Sequence, residues 1–322
     1  MANIIVAGGA GFIGSHLCKR LIAEGHTVYC IDNLITGDKA NVVSLLDNPK
    51  FSFFDHDVTQ PLTVIADRLE EVQYVFHLAS PASPNKKSEK SYISFPIETL
   101  LVNSLGTKNL LDLSKEKNAS FLFASTSEVY GNPAVSPQPE TYFGNVNPNG
   151  VRSVYDEAKR FGEAITFAYR RKFGLNARLI RIFNTYGPNM QKDDGRVVTA
   201  FINQALTGEP LTVFGDGTQT RSFCYIDDMV DGFMKAMFTE GTDGQVINLG
   251  NPDERTISDI ATMVINMVGM TPAPQIIFEE LPEDDPLKRK PDITKARTLL
   301  GWEPKVFLEE GLTKTIAYFR NG

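Results

Sequence analysis

The first 25 residues contain the pattern that most restricts the fold of this chain: an apolar strand, a glycine-rich turn and a helix. Residues 3–7 are apolar and rich in β-branched side chains, and the run GGAGFIG at residues 8–14 follows directly. In such a turn, Gly8 and Gly11 permit close approach of the backbone to a pyrophosphate, and Gly14 lets the helix pack on the strand. The helix N-terminus then faces the negative charge. The pattern predicts the first βαβ unit of a dinucleotide-binding sheet.

An acidic residue stands where such a unit would hold a ribose. Gly25 ends the first helix, residues 27–31 form a second apolar strand, and Asp32 stands at its end. A carboxylate there hydrogen-bonds the adenosine ribose hydroxyls and repels a 2′-phosphate, which favours NAD over NADP. Asp57 follows a third strand, where it could contact the adenine amine. An ordinary strand-end carboxylate is an equally good interpretation of Asp57.

The order of elements predicts the fold class. Apolar strands and amphipathic helices alternate as far as about residue 185, which is typical of βαβ units around a parallel sheet. The later part has prolines, glycines and loops between short helices. We therefore expect an α/β protein with a Rossmann-type doubly wound parallel sheet. An NAD-binding domain would span residues 1–185, and residues 186–322 would form a smaller C-terminal substrate-binding lobe, with the chain able to cross between the two.

Composition excludes several classes of function. The 322 residues are 42% hydrophobic, enough for a sizeable core, and the net charge of −7 offers no basic patch for nucleic acid. No apolar stretch approaches the length of a membrane span and no signal-peptide pattern is visible, so we expect a cytoplasmic protein. Cys18, Cys30 and Cys224 are too dispersed for a disulfide framework or a zinc site, and the four histidines show no ligand spacing. We expect no metal.

A tyrosine and a lysine four residues apart indicate chemistry. Tyr155 and Lys159 lie in the sequence SVYDEAK and would share one face of a helix. An unperturbed tyrosine has a pKa of about 10, so it is a poor base unless a nearby cation favours the phenolate. Taken alone, the spacing fits a surface tyrosine stacked on a lysine stem. Beside a nucleotide-binding pattern, it predicts a base and its activator.

These features together resemble the extended short-chain dehydrogenase/reductase family, and finer motifs resemble its UDP-glucuronate decarboxylase, or UDP-xylose synthase, branch. The motifs are residues 81–84 (PASP), 125–131 (STSEVYG), 144–148 (GNVNP), 155–160 (YDEAKR), 181–188 (RIFNTYGP), 193–198 (DDGRVV), 218–223 (TQTRSF) and 289–293 (RKPDI). The resemblance spans nearly the whole chain. It implies an NAD-dependent carboxy-lyase that converts UDP-glucuronate to UDP-xylose through a 4-keto intermediate, with a mainly sugar-nucleotide-binding C-terminal lobe.

The resemblance also implies roles for individual residues. Tyr155 would take the proton of sugar O4, and Lys159 would lower its pKa and hold the nicotinamide ribose. Thr126 would hydrogen-bond O4, Glu128 would act at C5, where ordering a water is one option, and Arg289 would meet the substrate carboxylate. Relatives that dehydrate the sugar carry an acid at the position of Ser127. Dehydration is therefore disfavoured.

Further contacts follow from the same resemblance. Residues expected to bind the cofactor are Gly8, Gly11, Phe12, Ile13, Gly14, Asp32, Asn33, Thr36, Gly37, Asp57, Val58, Leu78, Ala79, Tyr155, Lys159 and Thr185. Residues expected to bind the substrate are Pro81, Asn184, Arg196, Thr212, Phe214, Arg221 and Arg289. The resemblance also implies a homodimer through helices near residues 100–116 and 153–172, which carry apolar stripes.

One departure from the branch concerns carboxylate recognition. Leu101 stands where the branch usually has a lysine that helps to bind the sugar acid. The nearby loop of residues 85–95 is longer than usual and carries Lys86, Lys87 and Lys90, any of which offers a replacement charge. Its charged stretch, residues 84–90, is otherwise expected to be a solvated loop beside the site.

Two alternative functions remain open. An NAD-dependent C4 epimerase of UDP-glucuronate or of another sugar nucleotide would share Tyr155 and Lys159, but would need no group at C5 such as Glu128. A non-catalytic NAD-binding scaffold would keep the fold alone. The combination of Thr126 with Tyr155 and Lys159 argues against a scaffold, which has no use for a tuned phenol.

Overall fold

The computed structural model describes residues 1–69, 71–281 and 288–321. The strands are β1 (Asn3–Ala7), β2 (Thr27–Asp32), β3 (Phe51–Asp55), β4 (Tyr74–His77), β5 (Ser120–Thr126), β6 (Ala177–Ile182), β7 (Thr185–Tyr186), β8 (Leu211–Phe214), β9 (Thr220–Ser222), β10 (Cys224–Tyr225), β11 (Val246–Leu249), β12 (Glu254–Thr256), β13 (Ile276–Glu279) and β14 (Lys288–Arg289). The helices are α1 (Phe12–Ala23), α2 (Thr63–Ala66), α3 (Pro96–Leu101), α4 (Thr107–Glu116), α5 (Ser153–Phe173), α6 (Val197–Thr207), α7 (Ile226–Phe238), α8 (Ile257–Val268), α9 (Thr294–Leu300) and α10 (Leu308–Asn321). Shorter turns of 3₁₀-helix span Lys39–Leu45 and Ser127–Tyr130, and Val102–Gly106 is π-helical.

Seven parallel strands form the central sheet, in the order β3-β2-β1-β4-β5-β6-β11. The order reverses between β1 and β4, which is the topological switch point where sheets of this class bind ligands. The expected doubly wound parallel sheet is confirmed. Strand β11 comes from the C-terminal part of the chain, so the chain does return to the sheet after residue 185. The division into domains at that residue stays a prediction.

Both faces of the sheet are buried, which explains the nearly continuous apolar strands. In β1, Ile4 and Val6 face one hydrophobic cluster, which contains the buried residues of α1 and α7. Ile5 and Ala7 face the opposite cluster, which contains the buried leucines of α4. All four β1 side chains are fully buried. Helices therefore cover both faces and leave the carboxyl ends of the strands open for a site.

Small sheets in the C-terminal part position two arginines. Strand β9 pairs antiparallel with β12 and parallel with β14. The register places Arg289 of β14 beside Arg221 of β9, and both side chains are buried. The remaining pairs are β7 with β10 and β8 with β13, both parallel.

Three further observations concern membrane helices, the cysteines and metal binding. No helix there is long and apolar enough to cross a membrane. Cys18, Cys30 and Cys224 are buried and not in disulfides. Residues 1–69, 71–281 and 288–321 contain no group of three or more histidine, cysteine or acidic side chains arranged to hold a metal ion.

Candidate active site

A cavity of about 300 Å³ opens at the carboxyl ends of β1, β2 and β4, at the switch point. Ten residues predicted to bind the cofactor line it: Gly8, Gly11, Asp32, Asn33, Thr36, Gly37, Asp57, Val58, Leu78 and Ala79. Pro81, predicted to contact the substrate, lines the same cavity. The other predicted cofactor residues, Phe12, Ile13, Gly14, Tyr155, Lys159 and Thr185, are not part of its wall.

The glycines of the turn allow backbone segments to approach more closely than any side chain would permit. Gly8 has a φ of +80°, and a Cβ there would lie 2.5 Å from the backbone nitrogen of Ala79. A Cβ on Gly14 would collide with the carbonyl oxygen of Gly8. Helix α1 can therefore rest directly on the turn. This packing keeps the floor of the cavity open to a bulky polar ligand such as a pyrophosphate.

Two carboxylates form the acidic wall of the cavity. Asp32 accepts hydrogen bonds from the backbone N–H groups of Ala10 and Leu34, each at 2.9 Å. Its burial raises its pKa, and these hydrogen bonds oppose that rise. Asp57 accepts from the Thr59 N–H at 2.8 Å and from the Asn33 side-chain amide at 3.2 Å. The glycine cradle and the two acids fit a dinucleotide that lacks a 2′-phosphate.

Tyr155 and Lys159 lie one turn apart on α5, and both are buried. The Lys159 Nζ lies 5.8 Å from the centre of the Tyr155 ring and donates a hydrogen bond to the Ala124 carbonyl at 2.9 Å. Burial lowers the pKa of Lys159 to about 7. The two side chains therefore share a face, as the sequence spacing predicts, and Lys159 is anchored to the end of β5.

The surroundings of the Tyr155 phenol set its pKa from two directions. Burial raises the pKa of Tyr155 to about 12, and the charge of Glu128 acts in the same direction. The charge of Arg196 and a hydrogen bond from Thr126 oppose that rise. Thr126 is the last residue of β5, and its hydroxyl also accepts the Glu128 N–H at 3.2 Å. Thr126 and Tyr155 thus meet at the open end of the sheet.

Glu128 lies between two arginines. Its Oε2 accepts from the Arg152 guanidinium at 2.6 Å, and its Oε1 accepts from the Arg289 guanidinium. Burial alone would raise the pKa of Glu128, but the two arginines outweigh burial and lower it to about 2. Glu128 is therefore ionised at neutral pH and holds Arg289 over the end of β5.

Buried polar atoms of this region without a partner among residues 1–69, 71–281 and 288–321 include Nε of Arg289, Oδ1 of Asp156 and the hydroxyl oxygen of Tyr92. Arg289 is only 3% exposed, and its Nη2 donates to the Gly131 carbonyl at 3.2 Å. Burial raises the pKa of Asp156 to about 8, and Glu128 adds to the rise. A buried donor without a partner is costly and indicates a ligand-binding position. Arg289 Nε is such a donor.

Sequence reasoning missed two residues of this cluster. Arg152 lies three and four positions before Tyr155 and Asp156, and that helical spacing was a usable signal. Tyr92 stacks on Tyr155, with ring centres 5.0 Å apart and an angle of 9° between the rings. No local pattern predicts Tyr92, because it comes from a distant loop. Leu101, which stands where the branch usually has a lysine, lines the cavity at the switch point.

The residues predicted to bind the substrate are spread over the C-terminal part and the end of β6. Arg196 forms two hydrogen bonds with the Asp194 carboxylate, at 2.5 and 2.7 Å. Asn184 is half-buried just after β6, and the nearby Thr185 hydroxyl donates to the Phe183 carbonyl at 2.9 Å. Thr212 and Phe214 lie on β8, where Phe214 is 41% exposed. Their roles stay predictions.

Known proteins resemble this chain over almost its full length. The model of the "NAD dependent epimerase/dehydratase family" matches residues 4–250. UDP-glucuronic acid decarboxylase 2 of Arabidopsis thaliana is 51% identical over 318 residues, 99% of this chain and 68% of that protein. UDP-glucuronic acid decarboxylase 1 of Xenopus tropicalis is 49% identical over 318 residues, 99% of this chain and 72% of that protein.

A solved structure extends the comparison to ligands. UDP-glucuronic acid 4-epimerase of Bacillus cereus, in complex with UDP-glucuronic acid and NAD, is similar with a TM-score of 0.86 and 31% identity, over 99% of both chains. The expected family and cofactor are thereby confirmed. This chain belongs to the NAD dependent epimerase/dehydratase family, within the extended short-chain dehydrogenases/reductases, and is an NAD-dependent enzyme.

Proposed function

We propose that this enzyme decarboxylates UDP-glucuronate to UDP-xylose. The observation that carries the proposal is Arg289, a buried guanidinium held by Glu128, whose Nε has no partner among the described residues. A guanidinium grips a carboxylate through two parallel hydrogen bonds, so Arg289 suits a sugar acid. Identity of about half with UDP-glucuronic acid decarboxylases over nearly the whole chain supports the same reaction.

The first task of the site is oxidation at C4. The cavity residues between Gly8 and Ala79 would hold NAD, which when bound would act as a reversible hydride acceptor for that carbon. Tyr155 takes the O4 proton as the alcohol becomes a ketone, and it returns a proton to O4 at the end of the cycle. Thr126 donates a hydrogen bond that favours the phenolate form of Tyr155. A protonated Lys159, on the same face of α5 as Tyr155, also favours the phenolate.

The second task is loss of CO₂. The C4 ketone is β to the C6 carboxylate, so breaking the C5–C6 bond sends the electron pair to the carbonyl oxygen as an enolate. A water molecule then supplies the proton that adds to C5. Thr126 and Tyr155 stabilise the enolate oxygen by hydrogen bonds. Arg289 orients the carboxylate before it leaves. Because the pKa of Glu128 is about 2, Glu128 cannot donate the C5 proton at neutral pH, and we assign it the task of fixing Arg289.

A product assay tests this function. The enzyme is incubated with UDP-glucuronate and NAD⁺, and the products are identified by NMR. We expect UDP-xylose and CO₂, with no lasting NADH because the hydride returns to the sugar. Formation of the C4 epimer without CO₂ would instead support the alternative, an NAD-dependent C4 epimerase. The structural similarity to the Bacillus cereus UDP-glucuronic acid 4-epimerase favours that alternative over other reactions.

We expect Asp32→Ala to narrow the preference for NAD over NADP. The Asp32 carboxylate lines the cofactor cavity and is held in place by two backbone N–H groups, so it would repel a 2′-phosphate. Dissociation constants of both cofactors for the parent and the variant provide the measurement. A parent that binds NADP as tightly as NAD would contradict the role of Asp32.

We further propose a homodimer built on α3, α4 and α5. Helices α3 and α4 each pack against α5, and large apolar side chains are exposed at Ile97 and Leu100 of α3, Leu105 of the π-helical segment and Phe161 of α5. Light scattering at micromolar concentration should give the mass of a dimer, and Leu105→Glu should shift it toward the monomer, because a charge would be buried in the interface. A monomeric parent would exclude this assembly.

A cytoplasmic location is proposed too, since three free cysteines suit a reducing compartment.

A further inference from the structure

The long loop between β4 and α3 is anchored rather than loosely solvated. Lys86 and Lys87 are exposed, but Ser83, Ser88 and Tyr92 of the same loop are buried. The Tyr92 N–H donates to the Ser83 carbonyl at 3.0 Å and closes the loop at its base. We call residues 83–92 the strap. Ser83, Ser88 and Tyr92 lie on the face of the strap that packs against the rest of the protein.

The strap binds the segment that carries Arg196. The Ser83 hydroxyl donates to the Asp194 carbonyl at 2.6 Å, and the Ser88 hydroxyl donates to the Asp193 carboxylate at 2.6 Å. The Asn85 amide donates to the Asp193 carbonyl at 2.8 Å. The strap therefore holds the main chain just before Arg196, whose guanidinium is in turn held by Asp194.

The other end of the strap lies against Tyr155. The Tyr92 ring stacks on the Tyr155 ring at 5.0 Å between centres, and Tyr92 is only 2% exposed. Its hydroxyl has no partner among the described residues, so stacking rather than a hydrogen bond at the ring tip holds the contact. Offset aromatic stacking contributes about 0.5–1.5 kcal/mol beyond buried area and restricts the ring orientation.

We infer that the strap positions Tyr155 relative to the Arg196 segment, with Tyr92 as the residue that orients the Tyr155 ring. The inference rests on the proposed function, because turnover of UDP-glucuronate is its readout. It goes beyond that function by assigning a positioning role to Tyr92, Ser88 and Asn85. It gives the loop a role that does not depend on a replacement charge from Lys86, Lys87 or Lys90.

Four variants test the inference: Tyr92→Leu, Tyr92→Phe, the double variant Asn85→Ala/Ser88→Ala, and the control Glu89→Ala, whose side chain is exposed. Tyr92→Leu should lower kcat by roughly 10- to 100-fold with little change in KM, because small misplacement of a reacting group has effects of this size. Tyr92→Phe should restore kcat nearly to the parent value. The double variant should raise the KM for UDP-glucuronate several-fold, and Glu89→Ala should change neither kcat nor KM.

The outcomes that overturn the inference are distinct from a failure of the proposed function. NMR of the parent product decides the function, whereas kcat and KM relative to the parent decide the strap. The positioning role of Tyr92 is overturned if Tyr92→Leu keeps the parent kcat, or if Tyr92→Phe loses as much as Tyr92→Leu. A parent-like KM in the double variant, or a KM raised equally in Glu89→Ala, overturns the anchoring role. Thermal unfolding and NAD binding check that each variant is folded. If Tyr92→Leu does not fold, Tyr92→Phe and the double variant are used to test the inference.

Discussion

Tyr155→Phe should abolish turnover while the fold and NAD binding persist. The substitution removes one hydroxyl, the group proposed to exchange a proton with sugar O4, and general-base catalysis typically contributes about 10²–10⁴-fold. The ring itself remains, so its stacking on Tyr92 should survive. The measurement is kcat with UDP-glucuronate together with the dissociation constant of NAD.

A second tyrosine on the same helix provides the control. Tyr169 lies about 20 Å further along α5, and its hydroxyl donates to Asp112 at 2.8 Å. Tyr169→Phe removes a hydroxyl from the same helix without touching the active end, so kcat should stay near the parent value. If Tyr155→Phe loses only a few-fold in kcat, another group takes the proton and the assignment is wrong.

Glu128→Ala and Arg289→Ala should separate oxidation from decarboxylation. Neither residue takes part in the proton and hydride transfers at C4, because Arg289 orients the C6 carboxylate and Glu128 fixes Arg289. Each variant should therefore still form some NADH in a single turnover, measured by absorbance, while UDP-xylose output collapses. Arg289→Ala should also weaken substrate binding by about 1.5–3 kcal/mol per lost charge-assisted hydrogen bond.

Arg255 offers a matched control for Arg289. It lies on β12, on the other side of β9 from β14, and forms an exposed ion pair with Asp253 at 2.9 Å. Arg255→Ala removes an arginine side chain from the same small sheet. Exposed ion pairs contribute about 0–1 kcal/mol to stability, so neither activity nor stability should change much. UDP-xylose formation at the parent rate by either Glu128→Ala or Arg289→Ala would contradict the decarboxylase mechanism.

The two substitutions should differ in their effect on stability. Arg289→Ala leaves Glu128 paired with Arg152 at 2.6 Å. Glu128→Ala instead leaves the Arg289 side chain, only 4% exposed, without its carboxylate partner. Removing one partner of a buried pair costs about 3–5 kcal/mol, so Glu128→Ala should unfold at the lower temperature. Thermal unfolding must accompany the kinetics for that reason.

The sequence by itself determined the sheet and the cofactor end of the site. Strand β1, the glycine turn and helix α1 are specified by residues within one 25-residue stretch, and Asp32 follows at the end of the next strand. Tyr155 and Lys159 share a face because both belong to one helix. Local periodicity and turn chemistry decide these features, since each involves residues that are neighbours along the chain.

Only the tertiary structure decided how the reacting end is assembled. Glu128 receives Arg152 from the start of α5 and Arg289 from β14, near the other end of the chain. Tyr92 lies on a loop and stacks on Tyr155. No residue near Tyr92 in the sequence predicts that contact. These contacts depend on how the C-terminal sheets and the strap pack onto the end of β5. Charge balance in a buried cluster is a property of that packing, because burial and neighbouring charges, not residue type, set each pKa.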